Sequence, residues 1–136
     1  MKQSYLPLKF VLGLVAVSHI VIGLIGVIPQ IPVNVAVLFY GAALTLNPQI
    51  EHILQMFGAY MLTVGFLGAF AVRDPVKNKS IIYGVSFLLF LRVLQRILFA
   101  GQAYAVFGIS PTYYWVQTAV FFALAVCLIL LRPKAD

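Results

Sequence analysis

Four long apolar runs, separated by short stretches rich in proline, charge or amide side chains, set the pattern of this chain. A helix crossing a bilayer core needs about 20 predominantly apolar residues at a 1.5 Å rise. The runs from about Phe10 to Ile28, Gln49 to Val72, Ser80 to Ala100 and Thr112 to Leu131 meet that requirement. None shows the period-2 alternation of a lipid-facing barrel strand. The pattern therefore predicts an all-α fold, a four-helix transmembrane bundle forming one membrane domain over residues 1–136. The first run exceeds the roughly 7–15 apolar residues of a signal peptide, and Ile28-Pro29-Gln30-Ile31-Pro32 follows it in place of a small-residue cleavage site, so it reads as a retained span.

A further apolar stretch, Val33–Leu46, is bracketed by Pro32 and Pro48. As a helix it would reach only about 21 Å, which is short for a crossing. It reads as a segment lying on or dipping into the outer face.

Charge then sets the orientation. Lys2 and Lys9 precede the first span, Arg73, Lys77 and Lys79 follow the second, and Arg132 and Lys134 follow the fourth. The two other connections, 29–48 and 101–111, hold no lysine or arginine. The excess of basic residues on cytoplasmic loops places both termini and the 73–79 turn in the cytoplasm, an arrangement that needs an even number of spans. Tyr113, Tyr114 and Trp115 are then expected as an aromatic anchor at the outer end of the fourth span.

Composition narrows the class further. The chain is 63% hydrophobic and 9% charged, with a mean hydropathy of +1.06. Soluble domains lie near 45–50% apolar and about 25% charged, and disordered segments combine low hydrophobicity with high charge. Both classes are excluded. The single cysteine, Cys127, rules out a disulfide scaffold. The net charge of +6 reads as a topology signal with anionic-lipid contact, and no nucleic-acid partner is expected.

Ionisable groups inside hydrocarbon are costly, and they face the bundle interior with a partner. The third span carries Arg92 and Arg96, four residues apart on one helical face. Counted from Ser80 they lie about 18 and 24 Å along the helix, in its outer half. Glu51 and His52 enter at about that level on the second span, and Glu51 is the one carboxylate there. An ion pair of Glu51 with Arg92 or with Arg96 is expected. It would act as a clamp between spans, as part of a ligand site, or as both. Gln55, Gln95, Gln102 and Gln117 gather at the same level, while the inner half is aliphatic and aromatic. The pattern suggests a polar pocket in the outer half, open outward or to the outer leaflet and capped by Val33–Leu46. Interhelical hydrogen bonding that only holds the bundle together is the alternative.

His19 lies near mid-span on the face of Ala16, Gly23 and Gly26, where small residues let helices approach closely. As a buried histidine it is a pocket candidate, and as a packing residue it would need only one hydrogen bond. Haem ligation by His19 and His52 would require equal depths, but their offset is roughly 7 Å from the span ends. Gly23-x-x-Gly26 and Gly65-x-x-Gly68 read as packing notches, and Glu51, Gln55, Gly58, Leu62, Gly65 and Ala69 form the seam of the second span. No soluble-enzyme signature, no depth-matched pair of carboxylates and no metal-ligating cluster occurs, so no catalytic residue and no metal site is assigned.

The order of these parts resembles a known group. A span ending in a proline-rich turn leads to an apolar outer segment, then to NPQIEHILQMFGAYMLTVGFLGAF, the short basic turn RDPVKNK, and the arginine-bearing FLLFLRVLQRILFAG. Together they resemble the BphX-like small bacterial four-span membrane proteins and, more loosely, the DoxX-type four-helix proteins. The resemblance implies a four-span fold in a bacterial inner membrane without an assigned activity. The DoxX-type likeness implies, for some members, a subunit of a quinone-linked oxidoreductase.

Two functional expectations follow. One is a non-enzymatic accessory or subunit protein of the inner membrane, partnered by the bilayer and by larger complex subunits or its own copies, with Glu51, Arg92 and Arg96 as an internal clamp. The other is a binding protein or quinone-linked subunit whose outer pocket takes a lipid- or quinone-like head on Arg92 and Arg96, assisted by His19, His52 and Gln55. Haem or pigment binding ranks below both.

Overall fold

A computed structural model describes residues 5–28 and 47–133. Val33–Leu46, the expected outer segment, lies outside the described residues. Five helices follow in chain order: α1 Leu6–Val27, α2 Pro48–Arg73, α3 Lys79–Leu98, α4 Ala100–Phe107 and α5 Pro111–Leu131. Among the described residues there is no strand, and α1, α2, α3 and α5 are long and apolar enough to cross a membrane. The four long runs of the sequence thus fold as helices, with one difference. The third span ends at Leu98, and the connection to the fourth contains the helix α4. Alanine-rich Ala100–Phe107 favours a helix, and Gly108 stops it in the left-handed conformation, φ 60°, which glycine adopts without steric cost.

The helices associate as two antiparallel pairs. In the first, α1 lies on α2 along a seam of glycines. A Cβ built on Gly58 would stand 2.7 Å from the Gly26 carbonyl carbon and 2.8 Å from the Val27 nitrogen. One on Gly65 would stand 2.8 Å from the Ile20 nitrogen, and one on Gly68 3.1 Å from the Ala16 Cβ. The register continues to the helix ends, where the Lys9 Nζ donates to the Arg73 carbonyl at 3.4 Å. Backbones this close gain dispersion and weak C–H···O contacts that bulkier residues would forbid. The second pair, α3 with α5, is held by larger groups. Phe90 and Phe122 meet edge to face at 6.0 Å, and the Arg132 guanidinium lies 5.6 Å from the Tyr83 ring centre.

All four long helices meet at the end that carries Lys9, Arg73, Lys79 and Arg132, called here the basic end. Leu8, Leu12 and Val15 of α1, Ala71 of α2, Ile82, Val85 and Leu89 of α3, and Ala125 and Leu128 of α5 form one buried apolar cluster there. The far end has a small cluster of its own, Ile109 and Tyr114 with Ala100, Ala103 and Tyr104 packed around them. Between these clusters the glycine seam keeps α1 against α2.

Helix α2 is capped at both ends. The Asn47 side chain accepts from the Ile50 amide at 2.8 Å, and Pro48 takes a first-turn position that needs no amide donor. At the basic end the Asn78 amide donates to the carbonyls of Phe70 at 3.2 Å and Asp74 at 2.9 Å, which tightens the turn into α3. Replacing Asn47 by alanine should cost about 1 kcal/mol of helix stability. The check is amide hydrogen exchange, which should quicken in the first turn of α2, Ile50 included, and stay unchanged in α5.

Candidate functional site

Two arginines one turn apart on α3 stand in different surroundings. Arg96 turns to α5. Its Nε donates to the Thr118 hydroxyl at 2.7 Å, and its Nη2 donates to the Tyr114 carbonyl at 2.8 Å and to the Gln117 side-chain oxygen at 3.2 Å. The guanidinium carbon lies 3.8 Å from the Tyr114 ring centre. The Tyr114 hydroxyl donates back to the Arg96 carbonyl at 2.8 Å, and the Thr118 hydroxyl donates to the Tyr114 carbonyl at 2.8 Å. This is a closed knot in which the planar fork of arginine satisfies three acceptors and stacks on an aromatic face, a set of contacts that an ammonium could not reproduce.

Arg92 lies one turn nearer the basic end and turns toward the bundle interior. Its guanidinium sits between two rings, 5.0 Å from the centre of Phe121 on α5 and 5.9 Å from that of Phe57 on α2. Among the described residues it makes no hydrogen bond and no ion pair. It lies within electrostatic reach of His19 on α1. Two phenylalanine faces attract a cation weakly and do not replace its water.

His19 is 4% exposed. Its Nδ1 donates to the Val15 carbonyl at 2.8 Å, a bond to the preceding turn that fixes the ring, because a carbonyl can only accept. The Nε2 is buried and has no hydrogen-bond partner among the described residues. In the neutral ring it offers a lone pair, in the charged ring a proton. A half-buried cation on α3 and a buried imidazole nitrogen on α1 are thus both without a polar partner among the described residues.

The other expected site residues lie apart from this centre. No ion pair joins Glu51 to Arg92 or Arg96 among the described residues. Phe57 is the α2 residue facing Arg92, and Glu51 stands six residues farther along α2, about 9 Å toward the far end. There its carboxylate sits in the first turn of the helix, where the helix dipole favours negative charge. Gln55 is half-buried, and His52 and Gln95 are exposed. In the α1–α2 register, where Ile20 meets Gly65, His52 stands about 20 Å from the level of His19, so one haem iron cannot take both histidines. Of the expected residues, Gln117 joins Arg96, and none makes a hydrogen bond or ion pair with Arg92 among the described residues.

Tyr114 departs from its expected role in the outer aromatic belt. It is 4% exposed and forms one wall of the Arg96 knot, with Tyr104 of α4 edge to face at 5.3 Å. Tyr113 and Trp115 remain exposed. Thr118 and Tyr114 were the knot residues that sequence reasoning missed. Tyr114, Gln117 and Thr118, spaced three and then one apart, fall on one face of α5, and that was the available signal.

An apolar groove of about 480 Å³ lies between α2 and α3. Val64 and Leu67 line one side, and Ile81, Gly84, Leu88 and Leu91 the other. It shares no residue with the polar cluster expected from the sequence, and the expected cap, Val33–Leu46, lies outside the described residues. Compared with protein-family models, curated proteins and solved structures, the chain has no match.

Proposed function

We propose that this chain is a small multi-pass protein of a bacterial inner membrane, with both termini cytoplasmic, that works by holding the polar head of an amphiphile and carries out no chemistry itself. It would serve as a binding subunit or accessory protein beside larger membrane partners. The observation carrying this reading is Arg92: a half-buried cation between Phe57 and Phe121 without a polar partner among the described residues. A structural arginine would be expected to look like Arg96, with its donors engaged. An uncompensated charge in a low-dielectric setting is retained at a cost, and an oxygen-bearing ligand would offset that cost. Among the described residues no second ionisable group lies at hydrogen-bond distance from Arg92, which favours binding over catalysis.

Native mass spectrometry of the gently solubilised protein, with extraction of its bound small molecules, tests this reading. The wild-type chain should carry one lipid- or quinone-like molecule, and Arg92→Gln should lose it while keeping its helical content and elution volume. A bare wild-type chain, or an Arg92→Gln variant that retains the same bound mass, would overturn it and leave a purely structural accessory protein.

A further inference from the structure

Among the described residues the groove between α2 and α3 has one polar lining side chain, Ser80, and it stands at the basic end. Leu91 is the lining residue farthest along α3. From Ser80 to Leu91 is about 16 Å of helix, close to the roughly 15 Å of hydrocarbon in one leaflet. On α2 the lining residues Leu67 and Val64 lie about 9 and 14 Å along the helix from Arg73, so both walls run over the same depth. Gly84 helps to open the groove. A Cβ built on Gly84 meets nothing within 4 Å, whereas those on Gly58 and Gly65 would strike the backbone of α1. Glycine is disfavoured inside a helix, and at Gly84 no close helix contact among the described residues offsets that.

The hairpin puts cations at that polar end. Helices α2 and α3 are joined directly by residues 74–78, so their connection lies at the Ser80 end of the groove between them. Arg73 and Lys79 flank the connection and Lys77 lies within it. Arg73 and Lys77 are exposed, and neither side chain makes a hydrogen bond or ion pair among the described residues. Tyr83, one turn on from Ser80, has the Arg132 guanidinium 5.6 Å from its ring centre. Asp74 is the one carboxylate of this end among the described residues, and it already accepts from the Lys77 amide at 3.1 Å. Positive charge is therefore in excess where the groove begins.

Size selects the occupant. A helix about 10–12 Å across would fill well over 1,000 Å³ along such a length, and the groove holds about 480 Å³. A helix of a second copy would therefore seat only part of its width, whereas a single acyl chain fits inside. We propose that the α2–α3 groove is a site for an anionic phospholipid of the leaflet at the basic end. One acyl chain lies along Leu67, Gly84 and Leu88, the second stays in the bilayer, and the phosphate meets the Ser80 hydroxyl and the cations of Arg73 and Lys77. This site goes beyond the Arg92 reading and does not rest on it, since Ser80 and Arg92 are about 18 Å apart along α3.

The test is native mass spectrometry of delipidated protein in detergent, titrated with phosphatidylglycerol or with phosphatidylcholine of the same acyl chains. Phosphatidylglycerol should bind at one per chain and about fivefold or more tighter than phosphatidylcholine, the factor that one basic residue contributes beside an anionic headgroup. Arg73→Gln combined with Lys77→Gln should abolish that preference and leave phosphatidylcholine binding unchanged. Gly84→Trp should weaken both lipids by about tenfold, the equivalent of displacing about two methylenes, with the thermal unfolding profile intact. Gly84→Leu takes its place if tryptophan lowers the melting temperature. Equal binding of the two lipids by wild type, a preference that survives the double variant, or unweakened binding to the blocked groove would overturn the proposal. So would the absence of binding by either lipid to folded wild-type protein. Phosphatidylglycerol binding that is lost in Arg92→Gln and kept in the double variant would overturn this site and keep the Arg92 reading.

Discussion

Replacing Gly58 by valine is expected to force α1 off α2 and to destabilise the bundle by about 3 kcal/mol, at the upper end of the overpacking range. The Cβ alone would stand within 3 Å of three backbone atoms, the Gly26 carbonyl carbon, the Val27 nitrogen and the Gly23 carbonyl oxygen. Backbone cannot rotate aside as a side chain can, so the helices must separate along their length. Separation would also open the contacts of Gly23 with Leu62 and of Gly65 with Ile20, since one rigid helix face cannot part at a single point. Gly13 provides the control: it lies on the partner helix α1, and a Cβ there meets nothing within 4 Å. Gly13→Ala should be neutral or slightly stabilising, by up to about 1 kcal/mol from helix propensity. Thermal unfolding in detergent, followed by circular dichroism, compares the two variants. Equal melting of Gly58→Val and wild type would show that the glycine seam does not hold this pair.

Loss of the Arg96 knot should be about as costly. Arg96→Gln removes the donors to Thr118, Tyr114 and Gln117 and the cation stacked 3.8 Å from the Tyr114 ring centre. Hydrogen bonds to a charged group contribute about 1.5–3 kcal/mol each, and a desolvated cation–π contact about 2 kcal/mol. These do not add, because the knot acts as a unit. Thr118 can still donate to the Tyr114 carbonyl, which limits the damage. A net loss of about 3 kcal/mol is expected. Arg96→Lys should recover little of it, since a single ammonium cannot reproduce the fork. Tyr114→Phe, which removes only the donation to the Arg96 carbonyl, should cost about 1 kcal/mol. The same detergent melts check the series, and a lysine variant as stable as wild type would contradict the fork-specific knot.

The spans were legible because hydrophobic length is a strong signal: roughly 20 apolar residues in water have no other stable fate. Gly23, Gly26, Gly65 and Gly68 were legible as close-packing positions for a similar reason, since small residues at helical spacing serve few purposes within an apolar helix. The helix α4 was not, because eight residues between two spans are too short for a hydropathy signal and too apolar to look like a turn. The partner of each arginine was least legible. Depth along a helix placed Glu51, Arg92 and Arg96 near one level, and charge suggested a pairing. Depth carries an error of a turn or more, and a turn decides whether Glu51 or Phe57 meets Arg92. Rotation about the helix axis was also unknown, so nothing in the sequence said that Arg96 would turn to Tyr114, Gln117 and Thr118 while Arg92 turned inward.

That divergence between neighbouring arginines is central: Arg96 holds α3 to α5, and Arg92, without a polar partner among the described residues, is the residue proposed to meet a ligand. The most direct test is thermal unfolding of delipidated Arg92→Gln and Arg96→Gln side by side, because stripping the lipid removes any stabilisation by bound ligand. The account predicts that Arg96→Gln loses about 3 kcal/mol. Arg92→Gln should stay within about 1 kcal/mol of wild type, its weak aromatic contacts offset by removal of an uncompensated charge. Equal losses in the two variants, or a larger one for Arg92→Gln, would contradict it.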